Sequence, residues 1–226
     1  MNPVTIIPVV GVPEIRAGDD VAAAIVAAAP PMERGDVVVV TQKVVSKAEG
    51  RIAPAVDKPA VIASESTRVL RRSGDLVISE TRHGFVCANA GVDSSNVEPD
   101  HVVLLPLDPD ASARSIRARI AHQAGVEVAV VISDTFGRAW RIGQTDVAIG
   151  IAGLDPFIDY RGTTDTQGRQ LHATRICVAD ELAGAAELVM GKAGGICAAL
   201  VRGVAFTPAR AAARQIVRPS GDDLFR

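Results

Sequence analysis

The chain reads as short apolar runs separated by polar, glycine-bearing turns. Val4–Val10, Val37–Val40 and Val128–Val131 are dense in Val and Ile, the pattern of strands buried on both faces. Gly11 lets the chain turn sharply after the first run. Asp19 or Asp20 can cap a helix over Val21–Ala29, which Pro30 and Pro31 terminate. Pro59 precedes a second predicted helix, Ala60–Arg72, with Glu65, Arg68, Arg71 and Arg72 on one side. Leu76–Ser79 and Phe85–Ala88 read as a hairpin around Thr81–Gly84, and Val102–Leu107 as a further strand. Asp108, Pro109, Asp110 and Ser112 open a helix that runs to about Gln123, with Arg114, Arg117 and Arg119 on its polar side, and Gly125 stops it. Val147–Leu154 reads as a glycine-rich strand pressed on a neighbour. Asp159 to Gly168 is expected to be a loop and Leu171–Cys177 a strand. Ala179–Met190 has helical spacing of Leu182, Ala186 and Val189, with Asp180 and Glu181 suited to its N-terminal dipole. A strand, Cys197–Val201, follows, and Asp222, Asp223, Leu224 and Phe225 are expected to dock back as a short helix. The fold class is therefore α/β, of mixed α+β character.

Three junctions carry polar chemistry. The central run stops at Ser133, Asp134, Thr135, Phe136, Gly137 and Arg138, with Arg141 and Gly143 completing one short loop. That places Asp134 and Thr135 at the carboxyl end of a core strand, where open α/β sheets bind ligands. A carboxylate, a hydroxyl and two guanidiniums suit a metal-bound polyanion such as a nucleoside triphosphate. A strand ending in a turn, solvated by surface arginines, fits the same residues. The second strand runs into Thr41, Gln42, Lys43 and Lys47. These residues suit phosphate binding by Lys47, with Gln42 and Lys43 nearby; by itself the segment reads first as a solvated charged turn. Asn89 to Asn96 is polar and flanked by strands. Asp93 and Asn96 offer oxygen ligands to Mg²⁺ or Mn²⁺, and Asx turns favour the same residues. Gly191, Lys192, Ala193, Gly194 and Gly195 form a loop able to cradle a nucleotide, or a helix C-cap followed by a turn.

Composition narrows the field. The 226 residues are 48% hydrophobic, enough for one large domain or two small ones without disulfides. Aromatics at 3% argue against a base-stacking platform, and a net charge of −2 provides no basic field for nucleic acid. Cys87, Cys177 and Cys197 share no metal-ligand spacing, nor do His83, His101, His122 and His172, so the cysteines read as small buried hydrophobes in a reducing cytosol. The N-terminus lacks a basic region and is broken by Pro3, Pro8 and Pro13, unlike a signal peptide, and no apolar run reaches the ~20 residues of a membrane span. A soluble, cytoplasmic protein without membrane or nucleic-acid partners is expected. GxxxxGK[ST], GxGxxG and GxSxG are all absent. Acids and lysines at strand ends still fit metal-assisted phosphoryl or acyl transfer.

Six blocks, in this order, carry a resemblance: PVVGVPEI, GDVVVVTQKVVSKAEGR, ANAGVDSSNV, LLPLDPDASA, ISDTFGRAWRIGQTDVAIGIAG and VADELAGAAELVMGK. Together they resemble the coenzyme F420-0:L-glutamate ligase family, the gamma-glutamyl ligases of F420 biosynthesis, over nearly the whole chain. The resemblance implies a family-specific fold of two closely joined subdomains in an intertwined homodimer, here as one domain over 1–226 without a fused flavin-binding domain. It implies attachment of L-glutamate to F420-0 through an acyl phosphate, with GTP as co-substrate, Mg²⁺ or Mn²⁺, and help from K⁺. Asp93, Asp134 and Thr135 would be metal ligands. Val12, Pro13, Glu14, Ile15, Gln42, Lys43, Lys47 and Asn96 would line the GTP site. Met190, Gly191, Lys192, Ala193, Gly194, Gly195 and Ile196 would close over it. The catalytic set would be Asp134 and Lys47, with Arg138, or alternatively Arg141, assigned from its charge to a substrate carboxylate or phosphate. Lys192 is a departure, because archaeal members carry an acid there; the loop would then bind phosphate by charge. An amide ligase for another carboxylate, or a non-catalytic nucleotide- and metal-binding module, would use the same residue types.

Overall fold

In the computed structural model, which describes residues 3–224, one strand shows how the core is divided. The run VVVVT at Val37–Thr41 sends alternate side chains to opposite faces, as period-two geometry requires. Val38 and Val40 enter one hydrophobic core; Val37 and Val39 enter another. This strand, β2, lies inside a five-stranded sheet with β1 (Thr5–Pro8), β8 (Ala129–Arg138), β9 (Arg141–Ala152) and β12 (Ala198–Arg202), in the order β1-β12-β2-β8-β9. Only β2 and β8 are parallel; the other neighbours are antiparallel. Helices α1 (Val21–Ala28) and α4 (Pro109–Ala124) cover the first face through Ile25, Ile116 and Ile120. Helix α5 (Val178–Met190) covers the second through Leu182, Ala183 and Ala186.

The caps follow the sequence. Asp20 accepts from the Ala23 N–H at 3.1 Å and Asp108 from the Ala111 N–H at 2.9 Å, each satisfying an orphan donor of a first turn. Gly125 takes φ 68° at the end of α4, which a glycine adopts without steric cost.

A second, smaller region contains α3 (Lys58–Glu65), the strand pair β3 (Ile52–Pro54) and β7 (His101–Val103), and a three-stranded sheet of β4 (Ser66–Ser73), β5 (Leu76–Thr81) and β6 (Val86–Ala88). Its core gathers Ile62, Val77, Val92, Val102 and Leu104. Buried Glu65 holds it to the chain after α2 (Gln42–Ala48), with Arg51 and Arg82 each 2.8 Å from one of its oxygens. Strands β10 (Phe157–Asp159) and β11 (Arg175–Cys177) form a separate pair. Among the described residues no helix is long and apolar enough to cross a membrane.

The structure differs from the sequence reading in five places. The helix expected over Ala60–Arg72 ends at Glu65, and Ser66–Ser73 is strand β4 paired with β5. Ser66 Oγ donates to the Ile62 carbonyl at 2.7 Å and lies 2.8 Å from Ser79 Oγ, so the junction is held by cross-strand partners that helical periodicity does not show. The segment after β2 is a short helix, α2, not a turn. The central strand does not stop at Asp134: β8 continues to Arg138, and the expected loop to Gly143 is a tight hairpin into β9. Val102–Leu107 and Leu171–Cys177 pair only over the three-residue strands β7 and β11. The expected C-terminal helix is a 3₁₀ turn at Ser220–Asp222, and Phe225 lies outside the described residues.

Gly150 explains the close approach of β9 to α4. A Cβ there would lie 2.4 Å from the Pro109 carbonyl oxygen, which is backbone and cannot swing away. Gly150→Ala is therefore expected to lower stability by about 1–3 kcal/mol, the usual cost of overpacking. Urea unfolding is the measurement, and an unchanged midpoint would show that α4 slides freely on the sheet.

Candidate active site

The parallel register of β2 on β8 ends at Thr41 opposite Ser133. From there the two chains part. β2 turns into α2, while β8 continues with β9 alone. Both faces of β8 beyond Ser133 thus border one crevice at the carboxyl end of the sheet, a place where α/β sheets bind ligands. A cavity of about 1130 Å³ occupies it. That is at the upper end of, or beyond, the roughly 300–1,000 Å³ of an ordinary small-molecule pocket.

Five segments of the chain meet there. Val12, Pro13, Glu14 and Ile15 come from the loop after β1; Gln42, Lys43 and Lys47 from α2; Asp93 and Asn96 from the loop before β7. Asp134 and Thr135 come from β8, and Gly191, Lys192, Ala193, Gly195 and Ile196 from the loop after α5. Asn96 sits at φ 58°, a left-handed conformation that Asn tolerates better than most residues. Three residues from the sequence reading fall outside the lining. Met190 is buried in the α5 core, Gly194 contributes no surface, and Arg138 lies at the hairpin tip, where its guanidinium donates to the Ile142 carbonyl at 3.0 Å.

Strand alternation divides the site in two. Ser133 and Thr135 share the α5 face of β8 with Asp146 of β9, the cross-strand partner of Thr135. Ser133 Oγ donates to Asp146 Oδ2 at 2.9 Å and Thr135 Oγ1 to Oδ1 at 2.6 Å. Lys192 Nζ reaches across from its loop, 2.6 Å from Thr135 Oγ1 and 2.9 Å from Asp146 Oδ1. Asp134 points the other way, toward Asp93 and Lys43. The Lys43 ammonium rests on Asp93 at 2.7 Å and also donates to Ser95 Oγ. Farther along α2, the Lys47 ammonium is bonded to Glu14.

The electrostatics differ between these groups. Burial works against the charge of Asp93, but hydrogen bonds from Lys43 and Ser95 outweigh it and hold its carboxyl below the usual range. Burial raises Asp134 to about 7; the Thr135 N–H and the nearby Lys43 charge oppose the rise, and the charges of Asp146 and Asp93 add to it. Burial, with the charge of Asp134, also pushes the Cys87 thiol up to about 12, leaving it an inert neutral group.

Gln42 supplies a further signal. Its side chain is 1% exposed and its Oε1 accepts from Ser46 Oγ at 2.9 Å, yet its Nε2 has no partner. A buried amide N–H without an acceptor is costly, so this donor at the cavity wall suits an oxygen brought in by a ligand. The donor set for a metal is Asp93 and Asp134 with the Thr135 hydroxyl nearby, all hard oxygen. Among the described residues no three acid, histidine or cysteine side chains form a preformed nest. Mg²⁺ commonly binds through one or two carboxylates and the phosphates of its substrate, so these residues fit a nucleotide-borne ion.

The sequence reading missed Asp146 and Ser133. An acid placed just before the apolar run VAIG is the signal that was available. It becomes informative only when 133–152 is recognised as one hairpin, which sets Asp146 opposite Thr135.

Metal-free stability should follow Asp134. Folding lifts its pKa from 3.8 to about 7, so the folded chain keeps a proton that the unfolded chain releases between those values. The ionised carboxylate therefore costs stability increasingly from about pH 4 to pH 7 and constantly above. Asp134→Asn should raise the melting temperature of the metal-free protein at pH 8 and change it little at pH 4. Equal shifts at both pH values would show that the carboxylate ionises freely in the fold.

Comparison with known proteins places these residues in context. The sequence model described as F420-0:Gamma-glutamyl ligase matches residues 10–59 and 55–203. A protein of Methanothermobacter thermautotrophicus named coenzyme F420:L-glutamate ligase is 41% identical over 249 aligned positions, covering 99% of this chain and 99% of its own. Proteins of the same name from Methanopyrus kandleri and Archaeoglobus fulgidus are 41% and 40% identical, over 94% and 99% of this chain and 94% and 96% of theirs.

Proposed function

The chain belongs to the F420-0:gamma-glutamyl ligase family, and from that premise we propose that it joins L-glutamate to coenzyme F420-0, with GTP as phosphoryl donor. The observation that carries this reading is the meeting, in one crevice, of three lysines, three aspartates and the orphaned amide of Gln42. Such a set can hold a triphosphate and a carboxylate together.

In this reading a carboxylate oxygen of F420-0 attacks the γ-phosphorus, and the bond to the β-phosphate oxygen breaks as GDP leaves. The α-amine of glutamate then attacks the acyl carbon. The amide forms, the acyl–oxygen bond breaks, inorganic phosphate departs and the amine loses its proton. A divalent ion held by Asp93 and Asp134 would supply charge neutralisation across the phosphates. Lys47 holds phosphate as a point charge, and Lys43 leaves Asp93 to do the same. The Gln42 amide donates to a ligand oxygen, and Asn96 and the loop at 191–196 border the nucleotide. Position and fixed charge, rather than covalent chemistry by the protein, are what phosphoryl transfer asks of these side chains.

The test is mass spectrometry of F420-0 incubated with protein, L-glutamate, GTP and Mn²⁺ or Mg²⁺. A gain of one or more glutamyl units that needs both GTP and metal is expected, and Asp93→Asn should slow it at least a hundredfold. Metal-dependent GTP binding with no product would point instead to another carboxylate substrate or to a binding module.

We also propose that the chain works as a homodimer. In support, the β8–β9 hairpin presents Trp140, 77% exposed, and Ile142, fully exposed, at its tip. Replacing both by Ser should convert a dimer to a monomer in sedimentation; a parent chain that already sediments as a monomer would end the proposal.

A further inference from the structure

The two faces of β8 differ in how much of their charge is already balanced. On one face, Asp134 makes no direct ion pair among the described residues: Lys43, whose charge reaches it, is seated on Asp93. On the other face every polar atom is engaged. Asp146, with a side chain 1% exposed, accepts from Ser133 and Thr135 and carries Lys192 at 2.9 Å. The Thr135 hydroxyl donates its hydrogen bond to Asp146, and one of its lone pairs accepts from Lys192 at 2.6 Å. Glu187 adds a carboxylate 3.6 Å from the same ammonium. The lysine side chain as a whole is 54% exposed, and its ammonium lies on two oxygens, Thr135 Oγ1 and Asp146 Oδ1. A divalent ion on Thr135 would have to share that oxygen with an ammonium, and like charges at such separation repel strongly in a partly buried site. It would also have to leave the buried Asp146 without its fixed counter-charge, which is costly.

We propose that the Lys192 ammonium is a tethered cation filling the Thr135–Asp146 half of the site, so that the chain takes up a single divalent ion, on the Asp93–Asp134 half. This rests on the metal-assisted reading above and goes beyond it by setting the number of ions and assigning one cationic position to the protein itself. Lys192 then acts as a positioning residue for the nucleotide-closing loop, which it ties to the floor of the cavity.

The experiment counts bound Mn²⁺ by electron paramagnetic resonance titration of the full chain with a non-hydrolysable GTP analogue. The same count is made on Lys192→Glu, whose carboxylate would join Thr135, Asp146 and Glu187 around an ion. One tightly bound Mn²⁺ per parent chain and two per variant chain are expected. Two in the parent overturn the proposal whether or not the variant folds, because the second position would then be open beside Lys192. One in both, with the variant shown to be folded by its melting transition, overturns it as well, because the Thr135 half would then be no cation site. No Mn²⁺ on the parent, with the analogue bound, overturns the metal-assisted reading and this proposal together. Anomalous scattering from Mn²⁺ in crystals of the parent gives the same count by position, expected at Asp93 and Asp134 and absent at Thr135.

Discussion

The side-by-side ending of Thr41 and Ser133 is the constraint on which the site depends. Up to that level β2 and β8 satisfy each other's backbone groups in parallel, and both are buried on two faces. One residue later β2 has become α2, and β8 has only β9 beside it. The crevice is the gap that this divergence leaves. α2 borders it with Gln42, Lys43 and Lys47; β8 borders it with residues from both of its faces. A bulge in the β8–β9 register, between Ile132 and Ser133, sits at the same level, and Asp180 of α5 takes up the Ala148 N–H beside it at 2.9 Å. Bulges of this kind re-aim side chains next to a site. Here the bulge lies just before the three residues, Ser133, Asp134 and Thr135, whose directions matter most.

What the sequence made legible was local. The VVVV run, the Asp20 and Asp108 caps, the Gly125 stop and the α5 spacing each depend on neighbours a few residues away, and the structure has them where they were expected. The meeting of Glu14, Lys47, Asp93, Asp134 and Lys192 was reached through ordered sequence blocks and resemblance; taken singly, the segments read as well or better as ordinary turns. The failures were non-local. Ser66–Ser73 is a strand because β5 pairs with it, and the one-sided charges of Glu65, Arg68, Arg71 and Arg72, read as the polar face of a helix, carried no trace of that partner. Reading 138–143 as a loop removed the hairpin register, and with it both the cross-strand place of Asp146 and the position of Arg138 at a tip outside the cavity lining.

The lysine–carboxylate pairs around the cavity differ in how readily they can exchange partners. In Lys43–Asp93 and Lys47–Glu14 the carboxylate side chains are 42% and 72% exposed. Water can solvate either acid when its lysine leaves, so these pairs contribute little to stability and separate at small cost. On the proposed reading, a nucleotide arriving with its divalent ion would offer each partner a replacement: phosphate for the ammonium and, at Asp93, the ion for the carboxylate. Charge is then conserved through the exchange. Lys192–Asp146 is different, because the acid is 1% exposed and water cannot take the lysine's place. Two pairs are thus built to open and one to stay closed. On the proposed reading this asymmetry separates the groups that handle substrate from the one that holds the floor of the site. It would also confine the divalent ion to the side of β8 where no direct ion pair holds Asp134.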